Sequence, residues 1–214
     1  MKLDRAALEA PRSLDEMEAL LHASINDREK ISDPDIYRRV GVVKDLIEEY
    51  LPLVTFSRTI FNFSSAKLTA LSHAGPDAFV TLNNGEVLGV QITTAGENYA
   101  TSLHRELLAR GSVAFPQQNA IRTRIDNRIH ISGRILSTKS ANTDRVVRDV
   151  IYAIQKKRKT YRTGTQILLI SVRDSSITLV DNWQQILLAA LSDVCIPPYE
   201  SVSLVLSGVC LKLS

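Results

Sequence analysis

The segment from Asp77 to Thr93 constrains the fold more than any other stretch of the chain. Asp77 to Leu82 is a short apolar and β-branched run, Asn83-Asn84-Gly85-Glu86 follows, and Val87 to Thr93 is a second run of the same kind. Asn and Gly tolerate the positive φ angles of a tight turn, so the segment is expected to be an antiparallel hairpin. A hairpin alone is marginal in water and needs a larger sheet or a covering helix. Gln166 to Val172 offers the missing piece: an unbroken apolar run that reads as a strand buried on both faces, at the centre of the same sheet.

Helices are expected on either side. Ser13 and Glu16 form a capping box that opens a short amphipathic helix through about His22, and a polar linker follows from Asn26 to Lys30. Asp33-Pro34 resembles an N-cap with proline in the first turn, followed by a stripe of Ile36, Val40, Val43, Ile47 and Tyr50 that Pro52 should end. Residues 53–75 mix apolar runs with a loop at His73-Ala74-Gly75 and give no clear element. Glu97 to Arg110 reads as a helix ended by Gly111. Ala120–Ile125 and Arg128–Leu136 flank Asp126-Asn127 as a second hairpin, and Asn142 or Thr143 caps a helix reaching about Lys159. A helix containing Trp183 and one final strand, Ser201 to Leu213, complete the chain. This order predicts an α/β fold, a mixed sheet flanked by helices. Residues 1–32 are expected to be an N-terminal helical extension, and 33–214 an α/β domain with a basic insertion around 112–142.

No apolar run approaches a membrane span, and the N-terminus is too charged for a secretory leader. Cys195 and Cys210 lie in apolar surroundings without metal-ligand spacing. They are expected to be reduced core residues, which makes a cytoplasmic location the expectation.

The formal charge of +3 hides an asymmetry: residues 1–50 carry a net −4 and residues 101–165 a net +10. A basic block of this size fits a polyanionic partner, nucleic acid first; a solvated basic face is the plainer alternative. Within it, Arg122, Arg124, Arg128 and Arg134 lie on the expected second hairpin, where they are candidates for phosphate contacts.

Asp77 follows Pro76 at the mouth of the first hairpin strand, and strand periodicity puts Gln91 and Thr93 together on one face of the second. Pro76-Asp77, a short turn, then Gln91-Ile92-Thr93 resembles the signature of the PD-(D/E)XK nuclease superfamily: Pro-Asp, a variable gap, then acid, any residue, lysine. The resemblance implies a restriction-endonuclease-like α-β-β-β-α-β core from about Asp35 to Val172. It also implies Mg²⁺ (or Mn²⁺) held by Asp77 and by the position of Gln91. A hard cation needs oxygen ligands, and a metal-activated water would attack phosphorus beside a stabilising lysine. Gln91 stands where the family has its second acid and Thr93 where it has lysine. The first departure removes a negative charge and the second a cation. A plain surface hairpin, with Asp77 bonded within its turn, is the alternative.

Lys157 follows the stripe Val146, Val150 and Ile154 on the 143–160 helix, with Tyr161 continuing it, so it points to the apolar side while Lys156 and Lys159 face water. Lysines that move from sheet to helix occur in the superfamily, which makes Lys157 the candidate replacement cation; snorkelling from the helix end is the other reading. The resemblance also implies a glutamate ligand from the first long helix, Glu48 in preference to Glu49. His73, His104 and His130 do not cluster. Two functions follow: Mg²⁺-dependent phosphodiester hydrolysis of DNA, or an inactive nuclease fold serving as a nucleic-acid-binding or protein-interaction subunit. An unrelated α/β interaction protein remains if the hairpin lies outside the core sheet.

Overall fold

The computed structural model describes residues 4–26, 41–71, 73–96, 121–125, 128–132, 139–173 and 181–213. The chain begins with helices α1 (Arg5–Glu9) and α2 (Leu14–Asn26). Ser13 caps α2 as expected: Glu16 returns to accept from the Ser13 backbone N–H at 2.8 Å, and the Ser13 hydroxyl lies 3.4 Å from the Glu16 N–H. The helix runs on to Asn26, four residues past the expected end.

A second helical stretch runs through α3 (Gly41–Asp45), a π-helical turn (Leu46–Tyr50) and α4 (Leu51–Ser57). Pro52 therefore does not end it. The wide turn before it shifts the register, so the proline falls in the first turn of a new α segment, where its missing N–H is not needed. The Asp33-Pro34 cap, the 97–110 helix and Arg134 lie outside the described residues.

Six strands form one mixed sheet: β1 (Phe63–Leu68), β2 (Ala78–Leu82), β3 (Val87–Ala95), β6 (Ile167–Val172), β7 (Ser201–Leu206) and β8 (Val209–Lys212), in that order across the sheet. The expected hairpin is β2–β3, paired antiparallel from Ala78↔Val90 to Thr81↔Val87, with Gly85 at φ +84° in the turn. β6 lies parallel to both β3 and β7, at the centre of the sheet. The segment after Ser201 is two strands rather than one. Ser207 and Gly208, both at positive φ, turn the chain so that β8 returns along β7. β4 (Ile121–Ile125) and β5 (Arg128–Ser132) form a separate antiparallel pair, the second expected hairpin.

Between β5 and β6, α5 spans Lys139–Lys159, starting before the Asn142–Thr143 cap read from sequence; α6 spans Trp183–Leu191. Strand alternation divides the core between the two faces of the sheet. Ile167 and Leu169 face a cluster with Leu8, Met17, Tyr50 and Leu53 from the N-terminal helices. Leu168 and Ile170 face Val146, Val150 and Ile154 of α5 and Leu187 of α6. Burying an apolar side chain of this size contributes about 1.5–3 kcal/mol, so β6, covered on both faces, anchors both halves. The result is an α/β fold with a helical layer on each side of a six-stranded mixed sheet. No described helix is long and apolar enough to cross a membrane. Cys210 is half-buried, and burial pushes its thiol pKa up; Cys195, expected in the core, is exposed.

Candidate functional site

Strand β3 places Gln91 and Thr93 on the face that meets α5, while Val90 and Ile92 enter the opposite cluster. Asp77 precedes the Ala78↔Val90 pair and so stands beside Gln91 at the end of β2. Both Asp77 carboxylate oxygens are engaged. Oδ2 accepts from the Ile92 N–H at 2.8 Å, and Oδ1 pairs with the Arg162 guanidinium, which also donates to Gly75 O at 3.2 Å.

Arg162 reaches Asp77 because its loop lies directly over β3. Gly89 N donates to Gln166 Oε1 at 2.6 Å, Gln166 N donates to Gly89 O at 2.9 Å, and a Cβ on Gly89 would lie 2.0 Å from Gly164 O. Only a glycine at 89 permits that approach.

Gln91 is 1% exposed and held at both ends of its amide. Its Nε2 donates to Thr160 O at 3.3 Å, and its Oε1 accepts from the Tyr199 hydroxyl at 2.7 Å. Burial raises the Tyr199 pKa to about 12, which keeps the phenol a donor. Tyr161 packs edge-on against Tyr199, with ring centroids 5.4 Å apart, and closes this corner.

Lys157 occupies the half-buried position expected from its helical stripe. Burial lowers its pKa, against the attraction of Asp77 and Glu49; Arg162 and Lys156 lower it further. Asp77, Lys157 and Arg162 are therefore electrostatic neighbours at one end of the sheet. Glu48 instead ion-pairs with Arg173 at 2.7 Å. Glu49 is the glutamate that feels Asp77, and burial raises its pKa against the pull of Arg5, which lies 3.2 Å away and also holds Asp45 at 3.0 Å. Thr93 lines a neighbouring cleft with Glu48 and Glu49. Arg122 and Arg124 lie on β4, and Arg128 opens β5.

A Mg²⁺ site needs several free oxygens, preferably anionic, converging on one point. These groups do not fit that demand as arranged. The Asp77 carboxylate is closed by a guanidinium and a backbone N–H, the Gln91 carbonyl oxygen by a phenol, and Glu48 and Glu49 by separate arginines. Among the described residues no three His, Cys, Asp or Glu side chains are grouped as a metal centre. The Asp77 site instead holds the Arg162 guanidinium, with Lys157 half-buried nearby on α5.

Sequence reading brought Asp77, Gln91 and Lys157 to one place but missed Arg162 and Tyr199. Arg162 is 85 residues from Asp77, and Tyr199 is 108 from Gln91. Neither carries a local signal. Compared with known proteins, the chain matches no family model, no curated protein and no solved structure.

Proposed function

We propose that this protein binds nucleic acid through its basic region, on a core resembling that of PD-(D/E)XK nucleases whose metal position is closed by an ion pair. The observation that carries the closed metal position is the engagement of Asp77 by Arg162 together with the locked amide of Gln91, and the basic block carries the binding. A fixed guanidinium at Asp77 stands where the resemblance would put a metal. Removing the acid and the lysine from the motif suits a site that stabilises the fold rather than one that cleaves. The succession of helix, three antiparallel strands, helix and parallel strand supports the restriction-endonuclease-like core. Lys156, Arg158 and Lys159 are exposed at the end of α5, within the block of net charge +10, and supply cations for phosphate contacts. DNA is placed ahead of RNA by the resemblance alone.

One observation favours hydrolysis as the second reading: Lys157 lies close enough to Asp77 and Glu49 to feel both charges. That reading requires Arg162 to leave Asp77.

The test is binding of DNA across a salt series. Affinity should fall steeply with salt, by a log–log slope of about 0.9 per phosphate neutralised on duplex DNA. Replacing Arg122, Arg124 and Arg128 together by Ala should weaken binding about equally across sequences and flatten that slope. A protein that ignores DNA and RNA at low salt would remove this reading.

A further inference from the structure

We infer that strand β8 pairs antiparallel with β8 of a second copy across a two-fold axis at Leu211, joining two six-stranded sheets into one. The inference is independent of the nucleic-acid reading. The two edges of the sheet are finished differently. At β1, Arg12 exchanges both backbone hydrogen bonds with Ala66, at 3.1 and 2.9 Å, so the segment before α2 covers that strand. β8 is the other edge, and no described residue pairs with its outer side. An edge strand with unpaired N–H and C=O groups is a template for another chain.

The direction of those groups follows from the ladder. Leu213 N donates to Val202 O at 2.9 Å, and Leu211 stands opposite Leu204, so Leu211 and Leu213 turn their backbone groups toward β7. Cys210 and Lys212 therefore turn theirs outward. A two-fold axis at Leu211 sets Cys210 opposite Lys212 of the second copy, each such pair exchanging both N–H···O bonds. It brings Leu211 face to face with its mate and keeps the two Lys212 ammonium groups from standing opposite each other.

A four-residue edge is too small to hold a dimer alone, since a stable interface buries about 800 Å² per partner. Helix α6 supplies the adjoining surface. Its Leu187 and Leu191 join Val202, Leu204 and Leu206 of β7 in one core cluster, and Leu211 and Leu213 pack on the same cluster. α5 lies over β3 and β6 and touches α6, which leaves α6 on the β8 side of that face. The nine residues of α6 include no Asp, Glu, Lys or Arg, and its exposed positions are Gln184, Gln185, Ile186, Ala189 and Ala190. A solvent-facing helix carries charge on its outer side, whereas interface cores are depleted in it. Ile186, Ala189 and Ala190 follow i, i+3, i+4 spacing, so they share the side that meets the second copy's helix.

The experiment is sedimentation equilibrium of the full chain over a concentration series, without nucleic acid. Wild type should be a dimer that dissociates on dilution. Lys212→Pro removes an outward N–H and leaves the bonds to β7. It should raise the dimer dissociation constant by roughly 5- to 150-fold, because symmetry removes the bond twice. Ala189→Glu sets two like charges near the axis and should raise it by about 10-fold or more. Both positions are exposed, so the core stays intact, and circular dichroism checks that it does. Oxidation reads the register. Leu211→Cys, in a chain also carrying Cys195→Ser and Cys210→Ser, should form a disulfide-linked dimer, whereas Lys212→Cys in that background should not. A monomer at every concentration overturns the inference. So does a dimer that neither Lys212→Pro nor Ala189→Glu weakens, or one that links through position 212 rather than 211.

Discussion

The Tyr199 hydroxyl lies 2.7 Å from Gln91 Oε1 and 3.0 Å from Lys157 O, so its single proton is shared between a side chain on β3 and the last turn of α5. With Gln91 Nε2 donating to Thr160 O just past α5, the amide ties β3 to the helix end directly at its nitrogen and through Tyr199 at its oxygen. This explains why glutamine suits position 91 better than an acid. A carboxylate there would keep the Tyr199 bond but set an anionic oxygen against the Thr160 carbonyl, in a place that is 1% exposed. Gln91→Glu is expected to destabilise the fold by about 1–3 kcal/mol at neutral pH, the cost of a buried polar group without its partner. Burial and the facing carbonyl would raise the pKa of that new carboxyl. The loss should therefore shrink as pH falls through the raised value, because the protonated acid can again donate to Thr160. Urea unfolding at neutral and mildly acidic pH checks both the size and the sign.

Gly89 is the second point on which the site depends. Its missing side chain lets the 160–166 loop cross β3, and a Cβ there would meet Gly164 O at 2.0 Å and Pro76 Cγ at 2.7 Å. Backbone must move to admit it. Gly89→Ala is expected to cost about 1–3 kcal/mol, as overpacked positions do, and to lift Arg162 from Asp77. Denaturant unfolding reads the first effect. For the second, Arg162→Ala should add little on top of Gly89→Ala, since both remove the same ion pair.

How much of this was legible beforehand depended on how local the cause was. The β2–β3 hairpin carried its own signal in Asn84-Gly85, the central strand in the apolar run to Val172, and the cap of α2 in Ser13 and Glu16. The inward turn of Lys157 followed from the spacing of Val146, Val150 and Ile154. Ser207-Gly208 was a readable turn signal, yet the apolar residues on both sides masked it as one long strand. Pro52 misled because a π-helical turn absorbs what a regular helix cannot. Arg162 and Tyr199 were invisible for a different reason. Their partners are distant in sequence, and only the sheet order brings them together.

The tyrosines offer a test that needs no substrate. Burial raises Tyr199 and Tyr50 from the ordinary value of about 10 to about 12. A raised pKa means that each contributes stability fully present below about 10, which is lost as pH rises through about 12. Tyrosinate absorbance should therefore show a late step near 12 to which Tyr199 and Tyr50 contribute. Tyr199→Phe and Tyr50→Phe should each remove one contribution. Tyr50 is buried with no partner for its hydroxyl among the described residues, so Tyr50→Phe should leave the protein as stable or more so. Tyr199→Phe should weaken it by about 1 kcal/mol through the lost bond to Gln91. A single early transition would show that neither phenol is enclosed as described.

The two functional readings separate most cleanly at Asp77. If the ion pair with Arg162 is structural, Asp77→Ala leaves a guanidinium and the Ile92 N–H without their acceptor, and stability falls by about 1–3 kcal/mol. The pair is part-exposed, with side-chain exposures of 15% for Asp77 and 39% for Arg162, so solvent screening keeps its share of that loss modest. Plasmid and single-stranded DNA should stay intact with Mg²⁺ or Mn²⁺ for wild type, Asp77→Ala, Lys157→Ala and Arg162→Ala alike. Binding should persist in Asp77→Ala once the protein is folded, because the basic surface is untouched. The hydrolytic reading expects the opposite pattern. Wild type would cleave, Asp77→Ala would abolish cleavage, and Lys157→Ala would lower turnover by roughly 10²–10³, the worth of one transition-state contact. Arg162→Ala would then raise cleavage by freeing the carboxylate. Metal-dependent cleavage that disappears with Asp77 would overturn the binding-only reading, and cleavage that survives Asp77→Ala would place the chemistry elsewhere in the chain.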